Sequence, residues 1–266
     1  MSKIVNARNK YPFISGTTSY IIPDAIIPNV RMLAPIIDDI ELVLFESDTI
    51  SNLPTKDEVA EIRSIAESNC CGFTIHLPTD RMAGSTNADE RQGFIDAAKR
   101  IIELTAPLSP RGWVLHCEGI TFGSSDEDVA LWRIHCLQTV HELINAAGDS
   151  RLIAIENLAY PFDYNREIIN TCNTSYCLDI GHLWIAKDPS WEVICRNTLA
   201  RTSIIHLHGV KDGKDHISLK EGNRYDLEKF LTIVRECKYS GVITLEVFNE
   251  NDFVQSMEVI KEIWEN

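Results

Sequence analysis

The sequence has few positive charges and no long apolar run. Lys and Arg number 25 against 39 Asp and Glu, so the formal net charge is −14. This balance argues against a protein that binds nucleic acid or anionic lipid through a general basic field. No stretch approaches the roughly 18 uncharged apolar residues of a membrane span, and residues 1–15 contain no apolar core of signal-peptide length. We therefore expect a soluble cytoplasmic protein.

Two further signatures are absent, namely paired metal-binding cysteines and a glycine-rich phosphate loop. The eight cysteines are spread along the chain, and Cys172 with Cys177 has no second pair to complete a tetrahedral zinc site. We expect reduced core residues rather than a disulfide framework. The missing glycine-rich loop after the first predicted strand argues against a dinucleotide-binding fold.

Short β-branched runs alternate with longer helical patterns along the whole chain. The expected strands are residues 13–19, 40–46, 72–77, 112–117, 151–157, 175–180, 203–208 and 241–248. The clearest helical stretches between them are residues 55–69, 88–104, 126–148 and 224–238. Thr55 with Glu58 predicts a capping box, and Gly148 predicts a left-handed cap. The alternation predicts an α/β fold, a single (β/α)8 barrel domain over residues 1–266 with the barrel at about 13–264.

Residues of the metal-binding type stand in or at the end of six successive predicted strands. They are His76, His116, Glu156, Asp179, His206 and Glu246. Their spacings of 40, 40, 23, 27 and 40 residues are those of βα units. In a barrel, strands three to eight would deliver these side chains to the C-terminal rim, where the sites of such enzymes lie. The sequence therefore predicts one convergent metal site.

Further imidazole and carboxylate groups lie next to these residues. His208 shares a strand face with His206, His182 follows Asp179 by one turn, and the segment after the seventh strand carries Asp215 and His216 as a loop that can fold over the mouth. One divalent ion takes about four to six ligands, so the set predicts two or three ions. Glu156 is the expected bridge. Zn, Mn, Fe and Co all suit these ligands.

Candidate substrate contacts are harder to separate from ordinary surface residues. Glu41 and Glu46 flank the apolar second strand, with Glu46 at the rim, and Arg81 follows the third strand, where it can hold a phosphate or carboxylate. A solvated strand end and a surface role explain Glu46 and Arg81 equally well. The expected substrate-binding residues are Glu46, Arg81, Asp215 and Lys211.

Several of these segments match a known group of enzymes. The stretches FTIHLP, VLHCEG, IAIEN, LDIGH, IIHLHGVKDGKDHISLKEG and ITLEVF resemble the xylose isomerase-like barrels, which include sugar isomerases, epimerases and the endonuclease IV type of abasic-site nuclease. By position, the resemblance implies three ion sites. The first is His76, His116 and Glu156; the second is Glu156, Asp179, His206 and Glu246; the third is His182 and His216.

This chain departs from the nuclease pattern in two places. Lys214 stands where that pattern has an aspartate, and Gly209 stands where it has an acid after the seventh-strand histidine. The third site, and the choice between His206 and His208 as ligand, therefore stay open. The catalytic residues that the resemblance implies are Glu156, Glu246 and His182.

The stretch GTTSYIIPDAIIPNVRMLAPIIDDIELVLFE is similar to the opening of the cobamide-remodelling phosphodiesterases, which cut the nucleotide loop of corrinoids related to vitamin B12. It implies a metal-dependent phosphodiesterase that acts on a small corrinoid. The alternative is a sugar isomerase or epimerase with one ion, in which His76 and His116 would be surplus. An abasic-site nuclease fits the acidic charge poorly. The intact carboxylates argue against a barrel that only binds a ligand.

Overall fold

The structure, a computed structural model, describes residues 6–47 and 50–265. Eight parallel strands close into a barrel in the order β1-β10-β7-β6-β5-β4-β3-β2. The barrel strands are β1 (Ile14–Thr18), β2 (Asp39–Val43), β3 (Gly72–His76), β4 (Trp113–Leu115), β5 (Ile153–Glu156), β6 (Ser175–Asp179), β7 (Thr202–Leu207) and β10 (Val242–Leu245). The predicted (β/α)8 barrel is therefore confirmed.

Helices cover the outside of the strands. They are α1 (Ile26–Leu33), α2 (Lys56–Asn69), α3 (Ala88–Thr105), α4 (Asp126–Ala147), α5 (Asp163–Cys172), α6 (Ile180–Ile185), α7 (Trp191–Thr198), α8 (Arg224–Glu236) and α9 (Glu250–Glu265). The capping box of α2 is present, since Thr55 Oγ1 accepts from the Glu58 N–H and Glu58 accepts from the Thr55 N–H. Gly148 ends α4 with φ 79°. No helix in the described part of the chain is long and apolar enough to cross a membrane.

The apolar core has an outer and an inner part. The outer part packs strands against helices around large buried side chains such as Phe94, Trp132 and Phe230. The inner part fills the barrel with Val114, Cys177 and neighbouring aliphatic side chains. All eight cysteines are free thiols, as predicted. This inner core supports the polar side chains at the C-terminal end of the barrel.

The segment after β7 differs from the predicted loop. It forms a hairpin of β8 (Gly209–Lys211) and β9 (Lys214–Ile217). Asp212 and Gly213 turn it with φ values of 52° and 77°, the left-handed conformations that an Asp-Gly turn favours. A Cβ on Gly209 would lie 2.2 Å from the Ser218 carbonyl oxygen. The hairpin packing therefore leaves no room for the acidic side chain of the nuclease pattern.

Candidate metal centre

The structure brings together the six strand-end residues that the sequence singled out. His116 Nε2 lies 3.0 Å from Glu156 Oε2, and His76 Nε2 lies 3.5 Å from the same oxygen. His206 Nδ1 lies 3.3 Å from Glu156 Oε2 and 3.3 Å from Glu246 Oε2. The strand register explains this convergence, because Asp179 pairs with His206 across β6 and β7. Parallel strands thus carry these side chains to one level of the barrel.

Among the described residues, five groups of side chains hold donor atoms within 4.8 Å of one another, and three of them correspond to the expected ion sites. The first of these three ligand groups is His76, His116 and Glu156; the second is Glu156, Asp179, His206 and Glu246; the third is His182, His208 and His216. The other two are His76 with His206 and Glu246, and Cys177 with Glu156 and His206. The three ligand groups coincide with the sets that the resemblance implied, with His208 added to the third. Glu156 belongs to two of them, as expected of a bridging carboxylate. The binding of metal by each residue remains a prediction.

Hydrogen bonds to the far side of each ring determine which nitrogen faces the centre. His76 Nδ1 donates to the Leu77 carbonyl oxygen at 2.8 Å, so its Nε2 is free to face Glu156. His206 does the reverse, since Nε2 donates to Glu41 Oε2 at 3.0 Å. Its Nδ1 is buried and forms no hydrogen bond. A lone pair in this position, between two carboxylates, fits a divalent cation that also neutralises their charge.

The second seventh-strand histidine, His208, has both ring nitrogens engaged. Nδ1 accepts a hydrogen bond from the His216 N–H at 3.0 Å and also lies 3.3 Å from the Gly209 carbonyl oxygen. Nε2 lies 3.3 Å and 3.4 Å from the two oxygens of Asp179. His206 is therefore the seventh-strand residue that offers a free lone pair. His208 instead orients Asp179 and ties the hairpin to the rim.

This role of His208 explains the glycine within LDIGH. A Cβ on Gly181 would lie 2.0 Å from Cε1 of the His208 ring. The Asp179 side chain caps α6 by accepting from the His182 N–H at 2.6 Å. The chain therefore turns at Asp179 into a short helix that lies directly against His208 and presents His182.

Sequence reasoning gave no role to Glu41, which it named only as a residue flanking the apolar second strand. Glu41 is fully buried inside the barrel, and its Oε1 has no hydrogen-bond partner. Its signal in the sequence was a carboxylate in the middle of the run IELVLFE, where alternation points it to the same face as Val43. An inward acid in a parallel barrel strand is unusual enough to be a functional candidate.

Asn157 is a second residue that was not singled out. Its side-chain amide donates to the Asp179 carbonyl oxygen at 2.9 Å and accepts from the Asp179 N–H at 2.8 Å. Its own carbonyl oxygen accepts from His182 Nδ1 at 2.9 Å. Asn157 thus joins the ends of β5 and β6 and orients the His182 ring. The asparagine directly after Glu156 was its signal.

Charges within the cluster shift its titration strongly. Burial lowers the pKa of His116, but the charges and hydrogen bonds of Glu156 and Glu118 together outweigh burial and raise that pKa to about 10. Burial likewise lowers the pKa of His216, while its hydrogen bond to Glu246 raises it to about 9. Burial raises the pKa of Glu156, yet the charges of His116 and His206 hold it well below its usual value. Without metal, protons on the imidazoles balance the carboxylates, and a cation would compete with them.

Cys177 lies within reach of Glu156 and His206, and without metal its sulfur carries a proton. Burial raises the pKa of its thiol well above the usual range. A metal ligand must be the thiolate. Without metal, Cys177 is therefore the reduced core residue that the sequence predicted.

The four expected substrate residues have ordinary partners. Glu46 pairs with Arg100, and its carbonyl oxygen accepts from Arg81 Nε at 3.4 Å. Lys211 Nζ lies 2.9 Å from Glu221 on the exposed hairpin side. Asp215 Oδ1 lies 3.1 Å from His216 Nδ1, so this carboxylate contacts the third group. The substrate roles of all four stay predictions.

Several solved structures share the fold of this chain. A D-tagatose 3-epimerase-like protein superposes with a TM-score of 0.79 at 22% identity, over 95% of this chain and 97% of that one. D-psicose 3-epimerase from Clostridium cellulolyticum gives 0.73 at 10% identity, over 95% and 99%. Endonuclease IV from Thermus thermophilus gives 0.70 at 17% identity, over 95% and 99%. Such identities show the fold alone.

Two of these structures are named as epimerases or epimerase-like and one as an endonuclease, and none of the three is named as a cobamide phosphodiesterase. A sequence relative, the uncharacterized protein MJ1311 of Methanocaldococcus jannaschii, is 33% identical over 100 residues. That alignment covers 36% of this chain and 33% of the relative, so it spans a third of that protein's length. The name of that relative states no activity.

A match to a protein-family model over most of the chain shows which family the protein belongs to. Residues 37–263 match the family model described as xylose isomerase-like TIM barrel. That span runs from just before β2 into α9 and includes the residues of all three ligand groups. The closed eight-stranded barrel and its rim of histidines and carboxylates are thus those of a member of the xylose isomerase-like TIM barrel family.

Proposed function

We propose that the protein is a metal-dependent phosphodiesterase. The observation that carries this proposal is that His76 and His116 lie on Glu156, beside Asp179, His206 and Glu246 on the same carboxylate, so the cluster offers more ligands than one ion takes. An isomerase with one ion uses the second group alone. Two ions that share a carboxylate suit displacement at phosphorus, where the attacking and leaving oxygens both develop charge.

The reaction is hydrolysis of a phosphate diester. The oxygen of water bonds to phosphorus, one P–O ester bond breaks, and the leaving oxygen takes a proton, so the products are a phosphomonoester and an alcohol. Bound divalent ions supply Lewis acidity to the phosphoryl oxygens and lower the pKa of water. With a net charge of −14, the chain needs such cations to accept a phosphate anion.

The chain's own side chains hold and orient this centre. Glu156 fixes the two groups relative to each other, and Asn157 holds Asp179 and His182 in place. His182 lines a rim cavity together with His116. Because His182 Nδ1 donates to the Asn157 carbonyl oxygen, Nε2 is left with a lone pair to hold an ion or a proton at the leaving oxygen.

The substrate that we propose is a cobamide, cut at the phosphodiester of its nucleotide loop. Support comes from the similarity of residues 16–46 to the opening of cobamide-remodelling phosphodiesterases. Part of this stretch, including Tyr20 and Phe45, lines a cavity at the barrel mouth. A small-molecule substrate also agrees with the acidic charge, which opposes a duplex nucleic acid.

The second candidate function is isomerisation or epimerisation of a sugar at a single ion. It is favoured by the four-residue group of Glu156, Asp179, His206 and Glu246, which is complete by itself, and by the epimerases among the structural relatives. In that reaction the two glutamates move protons beside a hydroxyketone. His76 and His116 would then be dispensable.

One experiment separates the two functions. The protein, loaded with Zn²⁺ or Mn²⁺, is incubated with adenosylcobalamin, bis(p-nitrophenyl) phosphate and D-tagatose in separate reactions, with products identified by mass spectrometry. We expect hydrolysis of the phosphodiesters and an unchanged ketose. His116→Ala should reduce hydrolysis at least 100-fold, because it removes a ligand of the first group. Epimerised sugar with normal turnover in His116→Ala would overturn the phosphodiesterase proposal.

A further inference from the structure

A cavity of about 520 Å³ opens at the barrel mouth. Its walls come from the loop after β1 (residues 20–23), the end of β2 (Val43 and Phe45) and residues 248–250 after β10. These strands are neighbours in the barrel, in the order β10-β1-β2. The cavity is therefore built into one side of the rim.

The cavity adjoins the candidate metal centre. Phe248 follows Glu246 by two residues, and its ring centroid lies 5.6 Å from that of His216. On the opposite wall, Val43 pairs in register with His76 across β2 and β3. A group in this cavity would thus lie next to the first and third ligand groups.

The walls suit a neutral apolar group. Tyr20, Phe45 and Phe248 contribute aromatic rings, and Phe248 is 45% exposed. An exposed aromatic side chain beside a concave apolar surface is typical of a ligand site. Glu250 is the charged residue of the lining, and its negative charge opposes an anion.

The side chains of Tyr20 and Asn249, two polar residues of the walls, already have partners within the protein. The Tyr20 hydroxyl accepts from Asn52, and both ends of the Asn249 amide bind Asp252. A sugar moved into this cavity would lose water at several hydroxyl groups and would meet few polar side chains, Tyr20 and Glu250 among them, to replace that water. A flat apolar ring system has no hydrogen bonds to water to lose, and it gains free energy when its apolar surface is buried.

A second cavity, of about 350 Å³, lies on the far side of the centre. It is lined by residues after β4 and β5, together with His116 and His182. In the barrel order, β4 and β5 stand opposite β10, β1 and β2. The metal centre thus lies between two cavities, as a phosphate between two ester arms requires.

From these observations we propose that the cavity of residues 20–23, Val43, Phe45 and 248–250 binds a neutral, flat apolar group on one arm of the phosphodiester. This rests on the proposed function. It adds the class of substrate that the site selects, namely diesters with one bulky apolar arm over small polar ones. Affinity should therefore follow the apolar size of that arm.

Two diesters with the same leaving group test the proposal. p-Nitrophenyl 1-naphthylmethyl phosphate and p-nitrophenyl methyl phosphate are both alkyl esters, so their intrinsic reactivity is matched. We expect kcat/KM to be at least tenfold higher for the naphthylmethyl ester. Phe248→Ala should reduce this ratio about tenfold, whereas Tyr225→Ala, an exposed aromatic on α8 that does not line the cavity, should keep it. Equal kcat/KM for the two esters would overturn the cavity assignment and leave the phosphodiesterase proposal intact.

Binding of phosphonates separates the two proposals, because a C–P bond is not hydrolysed. The metal-loaded protein is titrated with 1-naphthylmethylphosphonate and methylphosphonate by calorimetry. At least tenfold tighter binding of the naphthyl compound, lost in Phe248→Ala and kept in Tyr225→Ala, supports the cavity assignment even if neither ester is cleaved. Equal affinities would contradict it.

Discussion

The Glu41 carboxylate accepts a hydrogen bond from His206 Nε2 at 3.0 Å, with both side chains fully buried. This contact places the His206 proton on the far side of the ring and leaves Nδ1 between Glu156 and Glu246. Buried carboxylates behind ligating imidazoles fix the tautomer and make the ring a stronger donor. Glu41 is therefore a positioning residue for the second ligand group.

Replacing Glu41 by Gln should weaken metal binding about 10- to 100-fold, because the ring loses a charged hydrogen-bond acceptor. Zn²⁺ titration with a competing chelator measures this effect. Glu142→Gln is the control and should keep the affinity, since Glu142 on α4 pairs with Lys99 and is 50% exposed, away from the ligand groups. Unchanged Zn²⁺ affinity in Glu41→Gln would contradict the positioning role.

Replacing Glu156 by Gln should remove metal from two ligand groups together and abolish turnover. The reason is that Glu156 supplies a carboxylate to both the His76 group and the Asp179 group. Elemental analysis of the purified variant, compared with Asp179→Asn, checks this. Asp179→Asn should lose metal from the second group and keep His76, His116 and Glu156 intact. Full metal content and turnover in Glu156→Gln would disprove the bridge.

Metal binding should release protons and become tighter as pH rises. The pKa of His216 is raised to about 9 and that of His116 to about 10, so both imidazoles are protonated near neutral pH without metal. Each must lose its proton to bind a cation. Calorimetry in buffers of different ionisation enthalpy measures the number released. A buffer-independent enthalpy would show that the imidazoles are not ligands.

The same raised pKa values predict how the metal-free protein responds to pH. A histidine ordinarily titrates near 6.5, and His116 titrates at about 10 in the fold, so the folded state holds this proton more tightly than the unfolded chain. The stability that the His116–Glu156 pair contributes is fully present below about pH 6.5 and is lost as the pH rises through about 10. Urea unfolding of chelator-treated protein between pH 6 and 10 should show a falling midpoint. A midpoint that rises over this range would contradict the charge pairing.

Gly181→Ala should destabilise the protein by about 1–3 kcal/mol, the usual cost of forcing atoms into a packed interior. The added Cβ would lie 2.0 Å from the buried His208 ring. Gly93→Ala is the control, because a Cβ at this position in α3 meets the flexible end of Arg81. That variant should unfold at a similar or higher temperature, since Ala favours helix. Equal melting temperatures for the two variants would disprove tight packing of Gly181 on His208.

The barrel and most of its rim could be predicted because both depend on local patterns. Strands of β-branched residues and helices with caps alternate regularly. Because the strands are parallel, the residues at their C-terminal ends all lie at the same rim of the barrel. The role of Glu41 could not be predicted because it depends on a hydrogen bond to His206, which is 165 residues away in the sequence. The state of His208 depends on a hairpin whose backbone supplies the N–H of His216. Long-range hydrogen bonds of this kind leave no local pattern in a sequence.

The bonds from Asn157 to Asp179 and His182 connect main chain and side chains at the ends of two strands. The positions of Asp179 and His182 are therefore determined by hydrogen bonds at the ends of β5 and β6, and the loops at the barrel mouth contribute little to them. If the protein has the phosphodiesterase function that we propose, exchanging residues 20–23 or 118–121 for loops of another shape should change which esters fit while the ligand positions of Asp179 and His182 stay the same.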